Sequence, residues 1–325
     1  MMKTKYLWKS DFALLIQAHI KEMKISGFRF EVQQVLLRHF DELCFKQGYS
    51  GIDLTREIVE EFCYGIYYEK QSTRYRKELV IRNLGLFIKK QGLDAYIIKV
   101  KSAPKKRSSF KPYIYTEKEL ADIFLVIDNQ LPNNMTNRDI VDPLLFRLLY
   151  GTGMRLSEVL NLQLKDINFE NETIIILHAK NNKDRMIPIA KSLIIRCEKY
   201  TEKVHKFSTD DTIFFKNLKG NRFDLSTIYR HFRDYLWLAN IPHTRRGPRI
   251  HDLRHTYSVH CLKNWILAGK ELTSLMPYLS TYLGHSDFRG TQYYLHLTSE
   301  LYPDIIQKNE TAYDYIIPDL GDFND

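Results

Sequence analysis

Cysteine is scarce in this chain of 325 residues, and its 4 copies stand far apart. Because no C-x-x-C pair occurs, the sequence argues against a thiolate metal site or a disulfide framework and favours reduced thiols. No apolar run approaches the roughly 20 residues that cross a bilayer. The residues from Met1 to Phe12 lack the apolar core of a signal peptide, and no G-x-x-x-x-G-K-[ST] loop is present to bind a nucleotide. We therefore expect a cytoplasmic protein, outside any membrane, with no cofactor.

Basic residues outnumber acidic ones, 48 to 39, which gives a formal net charge of +9 at pH 7 and a pI near 9.1. Such a charge favours a polyanionic partner. A basic protein without that partner would have the same composition, so charge alone leaves both interpretations open. The length fits two domains, and 44% hydrophobic residues suffice for two packed cores.

Residues 8–100 carry apolar residues at helical spacing. The stretches run from Phe12 to Met23, from Val32 to Leu43, from Ile58 to Cys63 and from Leu79 to Ile88. Ahead of the last stretch, Arg74, Arg76 and Lys77 could lie along a DNA backbone, where contacts position a protein without reading sequence. A solvated helix face would carry the same residues, so both interpretations are kept.

The segment 101–112 is rich in basic residues, proline and serine and contains no acid. This composition cannot bury a core and predicts an extended linker. If the polyanionic partner favoured by the net charge is DNA, Lys105, Lys106 and Arg107 would lie along the duplex. The flexibility of the segment would then let the domains on either side close around it.

The pattern after the linker mixes helices with strands. Thr116 and Glu119 have the spacing of a capping box and predict a helix start, and an apolar helix follows over residues 143–150. Residues 166–169 and 172–178 are strand-like, and residues 185–189 return as a partner after a polar turn. Residues 190–240 are again mostly helical. This half is therefore predicted to combine α-helices with a small sheet.

Three basic side chains are spaced to bind a phosphate. His251 and Arg254 lie at i and i+3 on one face of a predicted helix, and Arg155 follows a glycine-containing turn. A guanidinium fork matches the paired oxygens of a phosphate, and a neutral imidazole can move a proton at neutral pH. A pair of guanidiniums suits a reaction at phosphorus, because charge builds on its oxygens.

These three residues lie in short sequence motifs. Together with further motifs, they follow a definite order and spacing along the chain. They are T-G-M-R-L-S-E around Arg155, A-K-N-N-K-D-R-M-I-P-I around Lys180, H-D-L-R-H-T from His251, L-G-H-S with His285, and T-Q-Y-Y-L-H with Tyr294. On these motifs the chain, over about residues 113–300, resembles the tyrosine recombinases of the phage-integrase family.

The resemblance implies a mainly α fold with a small antiparallel β-sheet, organised as a two-domain, C-shaped DNA clamp. Residues 1–100 would form a helical core-binding domain, 101–112 the basic linker, 113–308 a mixed α/β catalytic domain and 309–325 an acidic tail. The tail either docks on a neighbouring subunit, as the C-terminal segments of family members do, or is a frayed end.

The resemblance also implies what the motif residues do. Tyr294 would attack the scissile phosphate and form a 3′-phosphotyrosyl link with a free 5′-hydroxyl, without ATP or metal. Arg155 and Arg254 would neutralise the non-bridging oxygens, and His285 would add a hydrogen bond. Such a cationic pocket is expected to lower the pKa of Tyr294.

The proton transfers fall to Lys180 and His251. Lys180 would protonate the departing 5′ oxygen, with Lys183 as the alternative because the hairpin register is hard to fix from sequence. His251 would accept the proton of the phenol. Adjacent side chains on a helix point about 100° apart, so either Tyr293 or Tyr294 faces the phosphate, and the family's T-Q-x-Y pattern selects Tyr294.

Partners follow from the same resemblance. Arg245, Arg246 and Arg249 lie in a basic loop before His251 and would hold phosphates flanking the scissile one. The expected partners are double-stranded DNA, further copies of the chain in a tetramer on paired DNA sites, and accessory DNA-bending proteins or a partner recombinase. Integration, excision, transposition and chromosome-dimer resolution all stay open.

Other functions compete with site-specific recombination. A non-catalytic DNA-binding regulator on the same scaffold would be expected to lose one of the chemical residues. A type IB topoisomerase would share the nucleophile and the cationic pocket, although the T-G-M-R-L-S-E and L-G-H-S phrases favour a recombinase. A metal-dependent hydrolase would use His251, His255 and His285, but neighbouring arginines would repel the cation, and we expect no metal.

Overall fold

The computed structural model describes residues 6–28, 30–102, 111–133, 135–177, 184–244, 247–285 and 289–301. The chain divides into two compact units, residues 1–109 and 110–325. The division falls inside the segment predicted as a linker. Lys105, Lys106 and Arg107, and the tail 309–325, lie outside the described residues.

The first unit is helical. Its helices are α1 (Ala13–Ile25), α2 (Glu31–Lys46), α3 (Arg56–Tyr64) and α4 (Gln71–Lys90). Helix α4 packs against each of the others, and its Ile81 and Leu84 are fully buried in a core that also holds Phe12 and Phe40. The predicted apolar stretches therefore form the inner faces of these helices, as expected from their spacing.

The second unit contains further helices and a small sheet. In chain order these elements are α5 (Glu117–Asp128), α6 (Arg138–Thr152), α7 (Leu156–Val159), β1 (Ile167–Asn168), β2 (Thr173–Ile176), β3 (Arg185–Pro188), α8 (Lys191–Val204), α9 (Leu225–Leu238), α10 (Ile250–Leu267), α11 (Leu272–Leu283) and α12 (Arg289–Leu301). The predicted capping box is confirmed, because Glu119 N–H donates to Thr116 Oγ1 at 3.1 Å and Thr116 N–H donates to Glu119 Oε2 at 2.8 Å.

The strands form an antiparallel sheet in the order β1–β2–β3. Ile174 in the middle strand faces Ile167 on one side and Ile187 on the other, and all three side chains are buried. The fold is thus mainly helical with a small antiparallel sheet, as predicted. Within the described ranges, no helix is long and apolar enough to cross a membrane.

Helix α10 organises the second unit around the sequence motifs. It packs against α6, α11 and α12, and Val259 and Leu262 on its inner side are fully buried. Its start is held by Asp252, whose Oδ2 accepts the Arg249 backbone N–H at 2.7 Å. This packing brings the end of α6, the end of α11 and the middle of α12 against α10.

Candidate active site

The motif residues come from four chain segments that meet at α10. Arg155 lies in the turn between α6 and α7, Arg254 and His255 lie on α10, His285 follows α11, and Tyr294 lies on α12. The turn before Arg155 requires glycine at position 153, where φ is +60° and an added Cβ would stand 2.6 Å from the ring of Tyr257. Residues distant in sequence are therefore brought together by helix packing.

Arg155 is held from two sides. Its Nη1 donates to Glu158 Oε1 at 2.7 Å, and its Nη2 donates to the carbonyl oxygen of Gly284 at 3.3 Å. The side chain keeps 23% of its surface exposed, so its outer edge is accessible to a bound anion. The guanidinium is therefore oriented by the protein and open on one side.

Arg254 lies deeper and is only 3% exposed. Its Nη1 donates to the carbonyl of Gly153 and its Nη2 donates to the carbonyl of Leu283, both at 2.8 Å. Burial, with the nearby charge of Arg155, lowers the pKa of Arg254 to about 10. The group still carries its charge at neutral pH, so a second guanidinium charge stands beside that of Arg155.

Glu158 supplies the counter-charge. Its carboxylate accepts from Arg155 and, through both oxygens, from Arg185 on β3, at 3.2 Å and 2.8 Å. Burial alone would raise the pKa of Glu158, but the hydrogen bonds from Arg185 and Arg155 outweigh it and hold the pKa at about 2. Sequence reasoning assigned no role to Glu158 or Arg185, although both stand inside the quoted motifs.

Tyr294 is buried in this site, whereas the neighbouring Tyr293 is exposed to solvent. Tyr294 is 3% exposed, whereas Tyr293 is 38% exposed. The Tyr294 hydroxyl forms a hydrogen bond with His255 Nδ1 at 2.9 Å. This placement agrees with the choice of Tyr294 from the T-Q-x-Y pattern.

The expected lowering of the Tyr294 pKa is not found. Burial raises the pKa of Tyr294 above its usual value, and the opposing charges of Arg254 and Arg155 only reduce that rise. A phenol loses its proton poorly where its phenolate is desolvated. Tyr294 is therefore a protonated phenol, and its oxygen could attack another group only if a proton acceptor took up that proton.

Imidazoles surround that phenol. Burial, together with His251 and Arg254, lowers the pKa of His255 to about 3. Burial and the charges of Arg254 and Arg155 lower the pKa of His285 to about 4. His285 stacks beside the Tyr294 ring with centroids 5.9 Å apart, and its Nδ1 lies 2.8 Å from Thr291 Oγ1. Both rings are neutral at pH 7, so each can accept a proton.

His251 occupies the second residue of α10 and is exposed. Its ring stands edge-on to that of His255 with centroids 4.7 Å apart. His255 was missing from the predicted catalytic set, although it directly follows Arg254 in the H-D-L-R-H-T phrase. His255 belongs to the site because it forms a hydrogen bond with Tyr294 on α12. The local sequence does not encode this tertiary contact.

Comparison with known proteins assigns the chain to a family. Residues 115–300 match the model of the Phage integrase family. The chain belongs to that family. It is 32% identical to the tyrosine recombinase XerA of Pyrococcus horikoshii over 71% of this chain and 72% of the relative. It is 29% identical to the tyrosine recombinase XerC of Oceanobacillus iheyensis over 81% and 84%.

The fold is shared with solved structures. The XerH site-specific recombinase, bound to its difH substrate in a pre-cleavage complex, superposes with a TM-score of 0.61 at 20% identity. The match covers 87% of this chain and 81% of that one. At this identity the likeness shows a common fold.

Several predicted residues of this family member lie outside the described residues. They are Lys180 and its alternative Lys183, which follow β2 in the sequence, and Arg245 and Arg246, which precede α10 in the sequence. Arg249 is described and exposed; its backbone carbonyl accepts from the Tyr115 hydroxyl at 3.1 Å.

The DNA contacts predicted in the first unit have different surroundings in the structure. Arg76 on α4 is exposed. Arg74 donates from Nη2 to the carbonyls of Ile66 and Tyr67, at 3.1 and 2.8 Å, and so holds the preceding loop. Lys77 does not fit the prediction.

Lys77 is 5% exposed and its Nζ forms an ion pair with Glu69 at 2.9 Å. Its ammonium also lies 5.1 Å from the centroid of the Phe62 ring. A buried, paired ammonium does not reach a DNA backbone, because its departure would leave the carboxylate of Glu69 without its ion-pair partner. We therefore withdraw Lys77 from the candidate DNA contacts.

The histidines of the site do not form a metal centre. In the part of the chain that the structure describes, no group of three His, Cys, Asp or Glu side chains is placed to hold a metal ion. His251, His255 and His285 therefore lack the ligand arrangement that the hydrolase interpretation requires. The four cysteines are free, three of them buried and Cys261 half-buried, which fits the expectation of reduced thiols.

Proposed function

We propose that this protein is a site-specific DNA recombinase that cuts and rejoins DNA through a covalent 3′-phosphotyrosyl intermediate. One observation carries the proposal: the buried hydroxyl of Tyr294 stands 2.9 Å from a neutral imidazole of His255, beside the fixed guanidiniums of Arg155 and Arg254. This arrangement combines a nucleophile, a proton acceptor and charges that neutralise a phosphodiester. Membership of the integrase family supports it.

The cleavage step exchanges one phosphate ester for another. The Tyr294 oxygen attacks phosphorus, the bond from phosphorus to the 5′ oxygen breaks, and the phenolic proton passes to His255. Arg155 and Arg254 neutralise the non-bridging oxygens as charge builds on them. His285 would donate a hydrogen bond to one of these oxygens from Nε2, since its Nδ1 faces Thr291.

The leaving oxygen needs a proton, and we propose Lys180 as its donor, with Lys183 as the alternative. Rejoining reverses the sequence: a 5′-hydroxyl attacks the phosphotyrosine, and Tyr294 recovers its proton. Because the number of phosphate ester bonds is conserved, the reaction needs no ATP. Guanidinium and ammonium groups supply the positive charge that a metal ion would otherwise provide.

We further propose double-stranded DNA as the partner. Arg76 and Arg249 are exposed basic residues of the described chain, and Arg245, Arg246, Lys105, Lys106 and Arg107 would extend this set. Arg74 would act by holding the loop that carries Ile66 and Tyr67. Exchange between two duplexes involves four strand ends, and each chain offers one nucleophile, so a tetramer on paired sites would be the active assembly.

The test is covalent capture from a pool of nicked duplexes whose central sequence is randomised. A nick beyond the scissile phosphate lets the short leaving strand diffuse away and traps the adduct. The wild-type chain should give a denaturant-stable protein–DNA adduct, and Tyr294→Phe should bind DNA without forming it. Tyr293→Phe is the matched control and should form the adduct.

Each other outcome favours a different function. If the wild type binds DNA and forms no adduct from any sequence, the protein is a DNA-binding regulator. If it forms adducts without sequence preference and relaxes supercoiled plasmid, it acts as a type IB topoisomerase. If Tyr293→Phe is the variant that fails, Tyr293 is the nucleophile.

A further inference from the structure

The C-terminal end of α11 binds the arginines of the site. The last carbonyls of a helix have no partner within the helix. Here the earlier ones are used by the turn that closes α11: the carbonyl of Ser280 accepts His285 N–H at 3.0 Å, and that of Thr281 accepts Gly284 N–H at 2.9 Å. The next carbonyls accept hydrogen bonds from side chains outside the helix.

Three consecutive carbonyls each accept from a different arginine. Tyr282 accepts from Arg185 at 2.8 Å, Leu283 from Arg254 at 2.8 Å, and Gly284 from Arg155 at 3.3 Å. The negative end of the helix dipole favours this cluster of cations. The helix end thus fixes the spacing of the guanidiniums, and His285 follows directly on it.

Arg185 differs from the other two arginines of this cluster. It comes from β3, its side chain is only 7% exposed, and its N–H groups donate to protein acceptors. Its Nε donates to the Tyr282 carbonyl, while Nη1 and Nη2 donate to both oxygens of Glu158. Glu158 in turn accepts the backbone N–H of Arg155 at 3.0 Å and its Nη1 at 2.7 Å. Arg185 therefore links β3, the α7 turn and the end of α11.

We propose that Arg185 is a positioning residue for the cleavage reaction, fixing Glu158 and the α11 terminus so that Arg155 and His285 stand where the phosphate binds. The inference rests on the proposed function. A lysine cannot replace Arg185, because its ammonium lacks the planar fork that reaches acceptors on two elements at once. Without Arg185, the buried carboxylate of Glu158 keeps Arg155 alone as its close partner and is free to reorient.

Gly284 provides an independent way to perturb the same contact. Its φ is +66°, and an added Cβ would stand 2.7 Å from Arg185 Nη1. Gly269 after α10 has φ +63°, and no described atom lies within 4 Å of its added Cβ. Alanine at either position meets the same left-handed backbone strain. Only alanine at 284 also pushes the guanidinium of Arg185.

The experiment compares Arg185→Gln, Arg185→Lys and Gly284→Ala with the wild type in adduct formation at saturating and at limiting DNA. Small displacements of catalytic groups cost on the order of 100-fold in rate. We expect Arg185→Gln to lower the saturated rate about 100-fold while the DNA concentration for half-saturation changes less than about threefold. Arg185→Lys should recover little of the loss, and Gly284→Ala should cleave more slowly than Gly269→Ala.

Arg147→Gln is the control for general loss of stability. Arg147 donates to both carboxylate oxygens of Asp128, at 2.7 and 2.6 Å, and so pairs α6 with α5 outside the site. This variant removes a similar two-pronged pair and should cleave at the wild-type rate. A shared loss of rate in Arg147→Gln and Arg185→Gln would reduce Arg185 to a structural residue and overturn the inference.

A pH profile separates positioning from folding. The charged groups that face Glu158 are Arg155, Arg185 and, at longer range, Arg254. Removal of Arg185 should raise the pKa of the buried carboxyl, so the rate of Arg185→Gln relative to wild type should fall further towards about pH 5.5. Adding Glu158→Gln to that variant should abolish this extra fall.

The outcomes distinguish this inference from the proposed function. A wild type that forms no adduct overturns both. A wild type that forms the adduct, with Arg185→Gln within about threefold of its rate, overturns only the role of Arg185. A loss that appears wholly in the DNA concentration for half-saturation also overturns it, because Arg185 would then act in DNA binding.

Discussion

Replacing His255 by glutamine tests which imidazole accepts the proton of Tyr294. The hydroxyl of Tyr294 lies 2.9 Å from His255 Nδ1. Since burial and the charges of His251 and Arg254 hold the pKa of His255 at about 3, its ring is neutral and can act as a base throughout the neutral range. Glutamine can accept the same hydrogen bond through its amide oxygen, but it cannot take up the proton.

The size of the effect follows from the state of the phenol. An unperturbed tyrosine, with a pKa of about 10, is only ~0.3% phenolate at pH 7.5, and burial raises the pKa of Tyr294 further. Without a base only this phenolate attacks, so cleavage by His255→Gln should fall about 100-fold or more. Its rate should rise about tenfold per pH unit, because each unit increases the phenolate fraction tenfold. The wild-type rate should be nearly flat over the same range.

The assay is single-turnover adduct formation on a captured nicked substrate, between about pH 6.5 and pH 8.5, below the usual pKa values of tyrosine and lysine. His251→Gln is the matched variant, since its ring touches that of His255 with centroids 4.7 Å apart. We expect a flat profile for His251→Gln. A steep profile for His251→Gln together with a flat one for His255→Gln would refute this reasoning and return the role to His251, as the family resemblance implies.

Further expectations concern the charge of the site, the linker and the tail. Cleavage should survive excess EDTA, measured as adduct yield; activity lost to EDTA and restored by zinc or magnesium would contradict the metal-free mechanism. Replacing Lys105, Lys106 and Arg107 together by alanine should flatten the log–log dependence of DNA affinity on salt, by about 0.9 for each phosphate that is no longer neutralised; an unchanged slope would place the linker off the DNA. Deleting residues 310–325 should leave single-site binding intact and weaken the synaptic complex on native gels; recombination at the full rate would mean that the tail is a frayed end.

Local sequence patterns predicted the parts of the fold that local physics decides. The capping box at Thr116 and Glu119 formed as expected, because both of its hydrogen bonds join residues three positions apart. The strand pairing of residues 173–176 with 185–188 followed from β-branched residues on either side of a polar turn. Helix geometry implied only that Tyr293 and Tyr294 face different directions, and the choice of Tyr294 came from the family's T-Q-x-Y pattern.

Contacts between distant segments are beyond local patterns. The basic residues around Lys77 predict a surface cation, but its partner Glu69 and the ring of Phe62 bury it. The motifs do not single out His255, because its hydrogen bond to Tyr294 joins residues 39 positions apart. The same holds for Arg185 and the carbonyl of Tyr282, 97 positions apart. A motif states which residue types are present, whereas these pairings depend on how helices pack.

The charges around Tyr294 influence the point in the proposed reaction at which its hydroxyl loses the proton. Among the described residues, the guanidiniums of Arg155, Arg185 and Arg254 face the single carboxylate of Glu158. Burial, together with the charges of His251 and Arg254, keeps His255 neutral, so the DNA-free pocket disfavours the imidazolium that proton transfer creates.

A phosphodiester entering this pocket would add the missing negative charge. The anion would raise the pKa of His255, because a nearby opposite charge stabilises the imidazolium. It would also repel a free phenolate, but the charge of Tyr294 moves onto the phosphorus oxygens as the new bond forms, where Arg155 and Arg254 neutralise it. Proton transfer would therefore be favoured only once the scissile phosphate is in place, and Tyr294 would remain a protonated phenol until then.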